Sequence, residues 1–131
     1  MPHQPRVLVV DDDENIVSAF EDFLKKEHCT MVSASNAEDA LSVISHQTVN
    51  LVITDIRMKW QSGATLLMTI KQTHPGLPVI VITGYPNLIS ESDIRHYGAE
   101  FFFVKPLELD QLRDAVRNCL NRSGVSAHKN V

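Results

Sequence analysis

The chain has 131 residues, 44% of them apolar and 21% charged, with a formal net charge of −4. That length and composition suit one ordered domain with a real core and exclude a disordered chain. The acidic balance, with no lysine or arginine cluster, argues against direct nucleic-acid binding by this segment, and no apolar run is long enough to span a membrane.

The opening "MPHQP" has no apolar stretch of signal-peptide length after it. The run "VLVV" (7–10) then reads as a buried strand, followed at once by Asp11, Asp12, Asp13 and Glu14. Acids so placed suit either a helix start or a bound cation. A helix follows, with Ile16, Phe20, Phe23 and Leu24 on one face. The stretch "TMVSAS" (30–35) reads as an edge strand, and Ala37, Ala40, Leu41 and Ile44 as a second helix with a capping box from Ser35 to Glu38.

The runs "LVIT" (51–54), "VIVIT" (79–83) and "FFFV" (101–104) are short and do not alternate, which is how strands covered on both faces read. Between them, Leu66, Leu67 and Ile70 mark a third helix ended by "THPG". Segment 87–97 has a thin apolar stripe of Leu88, Ile94 and Tyr97; helix is expected there because parallel strands need a crossover. Leu112, Ala115, Val116 and Cys119 mark the last helix, and Cys119 reads as a packing residue. Five β-α units imply an α/β, doubly wound parallel sheet. The expected division is a domain over 1–122 and a flexible tail or linker stub over 123–131. Cys29 and Cys119 form no disulfide framework or metal spacing and fit reduced thiols in a cytoplasmic protein, while the six histidines are scattered.

In such a sheet, ligands sit beyond the carboxyl ends of the strands. The residues there are Asp11 and Asp12, Asp55, Thr83 and Gly84, and Lys105 and Pro106. Three carboxylates, a hydroxyl and an ammonium are thus expected on one rim. Carboxylates crowded together repel, and a hard divalent cation relieves the repulsion. Oxygen-only ligands suit Mg²⁺, with Mn²⁺ as an alternative. An aspartate beside such a metal can attack a phosphoryl group, whose oxygens Lys105 and Thr83 would hold. The acids therefore read as cation ligands, with Asp13 and Glu14 serving the helix start.

The motifs "VVDDDENI", "LVITDIRM" with Gly63 eight residues past Asp55, "VIVITG" and "GAEFFFVKP" together resemble the receiver domain of two-component response regulators, over about residues 5 to 121. "DIRM" and "ITGYP" lean toward receivers of NtrC/FixJ-like transcriptional regulators. The resemblance implies a flavodoxin-like (βα)5 fold with strand order 2-1-3-4-5. It implies a phosphoacceptor at Asp55, with Lys105 and Thr83 assisting, and metal ligation by Asp11, Asp12, Asp55 and the backbone carbonyl of Arg57. It implies a switch made of Thr83 and Phe102, and a cis bond from Lys105 to Pro106. The implied partner is a sensor histidine kinase or phosphotransfer protein, with a homodimer through the 87–121 face as a further expectation. The only catalysis implied is the domain's own Mg²⁺-dependent phosphorylation and dephosphorylation, in the cytoplasm. Lys59, Ser62 and Tyr85 depart from the family's usual residues at positions bordering the site and bear on the lifetime of the acyl phosphate.

Other readings fit less well. A haloacid-dehalogenase-type phosphatase wants a second acid two residues past the nucleophile, where this chain has Arg57. A flavodoxin-like flavin binder needs an anion cradle after the first strand, and "DDDEN" would repel its phosphate. A stand-alone receiver, acting as phosphorelay intermediate or protein-binding scaffold, stays open as the alternative.

Overall fold

A computed structural model describes residues 4–58, 61–84 and 90–122. Five strands, β1 (Arg6–Val10), β2 (Thr30–Ala34), β3 (Leu51–Asp55), β4 (Val79–Thr83) and β5 (Phe101–Val104), form one sheet in the order β2-β1-β3-β4-β5. Every pairing in it is parallel. Five helices connect and follow them: α1 (Glu14–Lys26), α2 (Ala37–His46), α3 (Gly63–Thr73), α4 (Glu91–His96) and α5 (Leu109–Arg122). This is the doubly wound architecture expected from the alternating pattern. Between β3 and α3, Arg57 and Met58 pair antiparallel with Ser62 and Gln61 in a small separate ladder.

The pleat divides the core in two. Val7, Val9, Leu51, Ile53, Ile80 and Ile82 face α1 and α5, where Phe20, Leu24, Leu112 and Val116 meet them. Leu8, Val10, Val52, Val79 and Val81 face α2, α3 and α4, where Ile44, Leu67, Ile70 and Ile94 meet them. Each such side chain, fully buried, contributes about 1.5–3 kcal/mol. The three inner strands are therefore apolar over residues 7–10, 51–53 and 79–82, since both faces are covered, and turn polar where they reach the rim. Cys119 is wholly buried in the α5 face, as its place on that helix's stripe predicts.

Three expectations change. The run "FFFV" forms an edge strand with half-buried phenylalanines and an exposed Val104, because β5 has a neighbour on one side only. The second helix is capped one residue later than expected. Asn36 Oδ1 accepts from the Asp39 N–H at 2.7 Å, and Asn36 Nδ2 donates to Asp39 Oδ2 at 3.0 Å. The return bond comes from the Asn36 side-chain amide, where a Ser–Glu box would use the backbone N–H, and Asn is among the strongest caps. The fourth helix spans 91–96, capped by Ser90, whose hydroxyl accepts from the Asp93 N–H, and Gly98 follows at φ +108°. Residues 87–89 of the expected helix lie outside the described residues.

Beside the site, Asp13 caps α1 and accepts from the Asn15 N–H at 2.9 Å, with Glu14 in the first turn. At the other end of α1, the buried carboxylate of Glu27 holds Arg117 at 2.9 Å and Arg113 at 3.3 Å, which ties α1 to α5. Lys71 Nζ pairs with Glu100 at 3.1 Å and also donates to the Leu77 carbonyl, fastening the end of the sheet away from the rim.

Candidate functional site

The carboxyl ends of β1, β3, β4 and β5 bring the rim residues together. Asp11 follows β1 and its N–H still bonds to the Ala34 carbonyl, so the strand geometry carries its side chain to the edge of the sheet. Asp55 ends β3 and pairs in register with Ile82. Thr83, next along β4, is paired in register with Val104 and is fully buried. The Lys105 N–H bonds to the Thr83 carbonyl at 2.8 Å, which extends the β4–β5 ladder by one residue and fixes where the lysine starts. The Lys105–Pro106 bond is cis, as the resemblance implies.

From there Lys105 Nζ reaches back across the rim. It donates to Asp55 Oδ2 at 3.0 Å and stands 3.7 Å from Asp11 Oδ2. Both carboxylates are buried, Asp11 at 6% exposure and Asp55 at 8%. The other oxygen of Asp11 accepts from the Asp13 N–H at 2.9 Å, so α1's first residues orient it.

The electrostatics follow from burial and crowding. Desolvation pushes the Asp11 carboxyl above its ordinary range, and the Asp55 charge pushes the same way; the Asp13 N–H and Lys105 oppose this and lose. Burial also pulls the Lys105 ammonium down, but the hydrogen bond and charge of Asp55, with Asp11 behind it, outweigh that and hold it above its ordinary value. The two shifts agree physically: one cation cannot compensate two buried anions, so it is held tightly while one anion remains costly.

Of the three carboxylates expected on the rim, Asp11 and Asp55 meet at Lys105. Asp12 is exposed on the rim, and among the described residues no three His, Cys, Asp or Glu side chains gather closely enough to hold a metal by themselves. The Asp12 charge still adds to the pressure that raises the Asp11 carboxyl. Mg²⁺ does not need such a cage, since it keeps several waters and takes one or two carboxylates. An oxygen-only donor set with anionic charge left over after Lys105 fits that ion.

Phe102 sits half-buried on the α4 side of β5, paired with Val81, in the cluster that includes Ile94. Phe101 and Phe103 stack on the opposite side, ring centroids 6.2 Å apart. Lys59, Trp60 and Tyr85 lie outside the described residues. Two further contributors lie next to Asp55. Thr54, which the sequence offers only as the polar end of an apolar run, donates its hydroxyl to the Asp55 carbonyl at 3.0 Å. Gly63 N–H donates to the Ile56 carbonyl at 2.8 Å, and a methyl at Gly63 would overlap the Asp55 carbonyl oxygen.

A five-stranded doubly wound sheet with two buried acids bridged by a lysine defines a signalling receiver, and the comparisons agree. Residues 7–117 match the response regulator receiver domain family, and the chain belongs to it. It is 32% identical over 124 residues to the transcriptional regulatory protein GlrR of Escherichia coli, covering 94% of this chain and 28% of GlrR. It is 34% identical over 105 residues to the DNA-binding transcriptional regulator NtrC of Salmonella typhimurium, covering 80% of this chain and 22% of NtrC. A crystal structure of a response regulator receiver domain protein from Clostridium thermocellum superposes with a TM-score of 0.85 at 28% identity, covering 92% of this chain and 97% of that one. The chain thus spans about a quarter of the curated relatives it matches. It is a receiver domain of two-component systems, related to NtrC-type transcriptional regulators. Among the described residues, no helix is long and apolar enough to cross a membrane.

Proposed function

We propose that Asp55 accepts a phosphoryl group from a histidine of a sensor kinase or phosphotransfer protein, and that the domain then changes shape to control an output. The observation that carries this reading is the Lys105 ammonium bridging Asp55 and Asp11. A carboxylate oxygen of Asp55 attacks phosphorus. The bond from phosphorus to the donor's imidazole nitrogen breaks, and its electron pair stays on that nitrogen. The product is an aspartyl phosphate. Lys105, already on Asp55, then pairs with a phosphoryl oxygen, and the Thr83 hydroxyl with another. Asp11, Asp12, Asp55 and the Arg57 carbonyl would hold Mg²⁺ or Mn²⁺, which supplies charge neutralisation for the phosphoryl oxygens.

The readout is a population shift. Drawing Thr83 toward the phosphoryl group opens space into which Phe102 turns, and the face made by α4, β5 and α5 is remodelled. α4 is short and buries only Ile94 fully, which suits an element of low local stability. That face, within 87–121, also serves for a homodimer. The output is a further domain or a partner protein and is transcriptional, in keeping with the names of the relatives GlrR and NtrC, with 1–122 as the receiver, 123–131 as a tail or linker stub, and the cytoplasm as the location.

Intact-mass measurement with Mg²⁺ and acetyl phosphate tests the acceptor. Wild type gains one phosphoryl group and Asp55→Asn gains none; equal labelling of the two removes the assignment.

A further inference from the structure

The Thr54 hydroxyl is a buried polar group that the proposed transfer leaves without a role. Thr54 is wholly buried, one residue before Asp55, paired with Val10 on one side and Val81 on the other. A doubly covered inner strand is served at least as well by valine there. The hydroxyl instead donates to the carbonyl oxygen of Asp55 itself.

That carbonyl is also confined by Gly63, whose bare Cα lies so close that a methyl would overlap the Asp55 oxygen and come within 2.8 Å of Ile56 Cα. The next carbonyl along, that of Ile56, accepts from the Gly63 N–H. The plane between Asp55 and Ile56 is also held at its other end, where the Ile56 N–H donates to the Ile82 carbonyl at 2.9 Å, so two successive peptide planes after the acceptor are held. Before it, the ladder of β3 with β1 and β4 holds the chain. With the main chain fixed on both sides, the Cα–Cβ direction of Asp55 is fixed too.

We propose that Thr54 is a positioning residue for Asp55: its hydroxyl, set against the close Cα of Gly63, fixes the peptide plane that follows the acceptor and so aims the carboxylate. This rests on Asp55 being the acceptor. Loss of the hydroxyl leaves that plane anchored at its Ile56 N–H end only and able to tilt about it, and in-line attack tolerates little misalignment, since ~1 Å of misplacement can cost ~100-fold in rate. A tilt smaller than that is expected to cost about tenfold.

The test uses Thr54→Val, which keeps the shape and loses the hydroxyl, and Thr54→Ser, which keeps the hydroxyl. Rates of labelling by acetyl phosphate are measured at saturating Mg²⁺, with thermal melts and the Asp55 carbonyl ¹³C shift alongside. Thr54→Val is expected to label about tenfold slower while melting no lower than wild type, with an altered Asp55 carbonyl shift. Thr54→Ser is expected to restore both rate and shift. A merely structural role for Thr54 would lower the melting point instead and leave no rescue pattern in the rate. Wild-type rate and shift in Thr54→Val overturn the proposal, as does equal slowing in both variants. If wild type itself takes no label at Asp55, the acceptor reading fails and this inference falls with it, an outcome distinct from normal labelling of Thr54→Val.

Discussion

Lys105 Nζ stands 3.0 Å from Oδ2 of Asp55, and that contact joins the fifth strand to the end of the third. Lys105 also lines an apolar cavity of about 320 Å³ with Phe20, Phe23, Pro106 and Leu112. Lys105→Met keeps that packing and removes the charge. Two buried carboxylates then face each other without a cation. Stability at pH 7 is expected to fall by about 1–2 kcal/mol, short of the full cost of a deeply buried pair because the lysine is partly exposed. Labelling of Asp55 is expected to slow by about 100-fold, the usual effect of removing one preorganised donor. Urea melts and intact-mass kinetics check the two effects separately; an unchanged labelling rate would remove Lys105 from the mechanism.

Asp11 makes the opposite prediction for stability. Its carboxyl is held above the ordinary range, by burial first and the Asp55 charge next. A raised carboxyl pKa means the folded state binds the proton more tightly than the unfolded chain, so above the ordinary value of 3.8 the ionised group costs stability. Asp11→Asn removes that charge, and its amide oxygen still accepts from the Asp13 N–H. In EDTA at pH 7 it should be more stable by about 1 kcal/mol. The gain should shrink as pH is lowered toward 3.8. Melting curves across that range decide it, and a variant less stable than wild type at pH 7 would be the contrary result.

Gly63 and Gly76 form a matched pair. A methyl at Gly63 meets backbone, the Asp55 oxygen and Ile56 Cα, which no side-chain rotation can relieve. Gly63→Ala is expected to lose about 2–3 kcal/mol, as overpacking against fixed structure does. At Gly76 nothing lies within 4 Å of an added methyl. Gly76→Ala should gain about 0.5 kcal/mol by restricting the unfolded chain. Chemical denaturation of both variants checks the sign at each site; similar values would show that the backbone around Asp55 yields easily.

Much of this was legible in the sequence because the physics is local. Four short non-alternating runs placed four of the five strands, and reading at and just past the end of each run found Asp11, Asp55, Thr83 and Lys105. What was missed depended on contacts between distant segments. Whether Ser35 or Asn36 caps the second helix turns on one residue of register. The half-buried state of Phe101–Val104 follows from β5 lying at an edge, which strand order decides and composition does not. Asp12 looks equivalent to Asp11 in the string, yet Asp11 is buried beside Lys105 and Asp12 is exposed. The bond from Thr54 to the Asp55 carbonyl gives no sequence signal beyond a hydroxyl at the end of an apolar run.

Cys29 supplies a test of burial far from the rim. Its thiol is buried, donates to the Glu27 carbonyl at 3.6 Å, and is pushed from the ordinary 9.0 up to about 11, by desolvation first and the Glu27 charge second. Between 9.0 and about 11 the unfolded chain has lost the thiol proton while the folded state keeps it. Stability from this group is therefore complete below pH 9.0 and drains away as pH rises through about 11. Cys29→Ala lacks that dependence. It should be less stable than wild type at pH 8, through lost packing, and the gap should narrow as pH approaches 11. Urea melts of both proteins at pH 8 and pH 10.5 measure the gap directly. A gap that stays constant would mean that the folded protein lets Cys29 ionise as readily as the unfolded chain does.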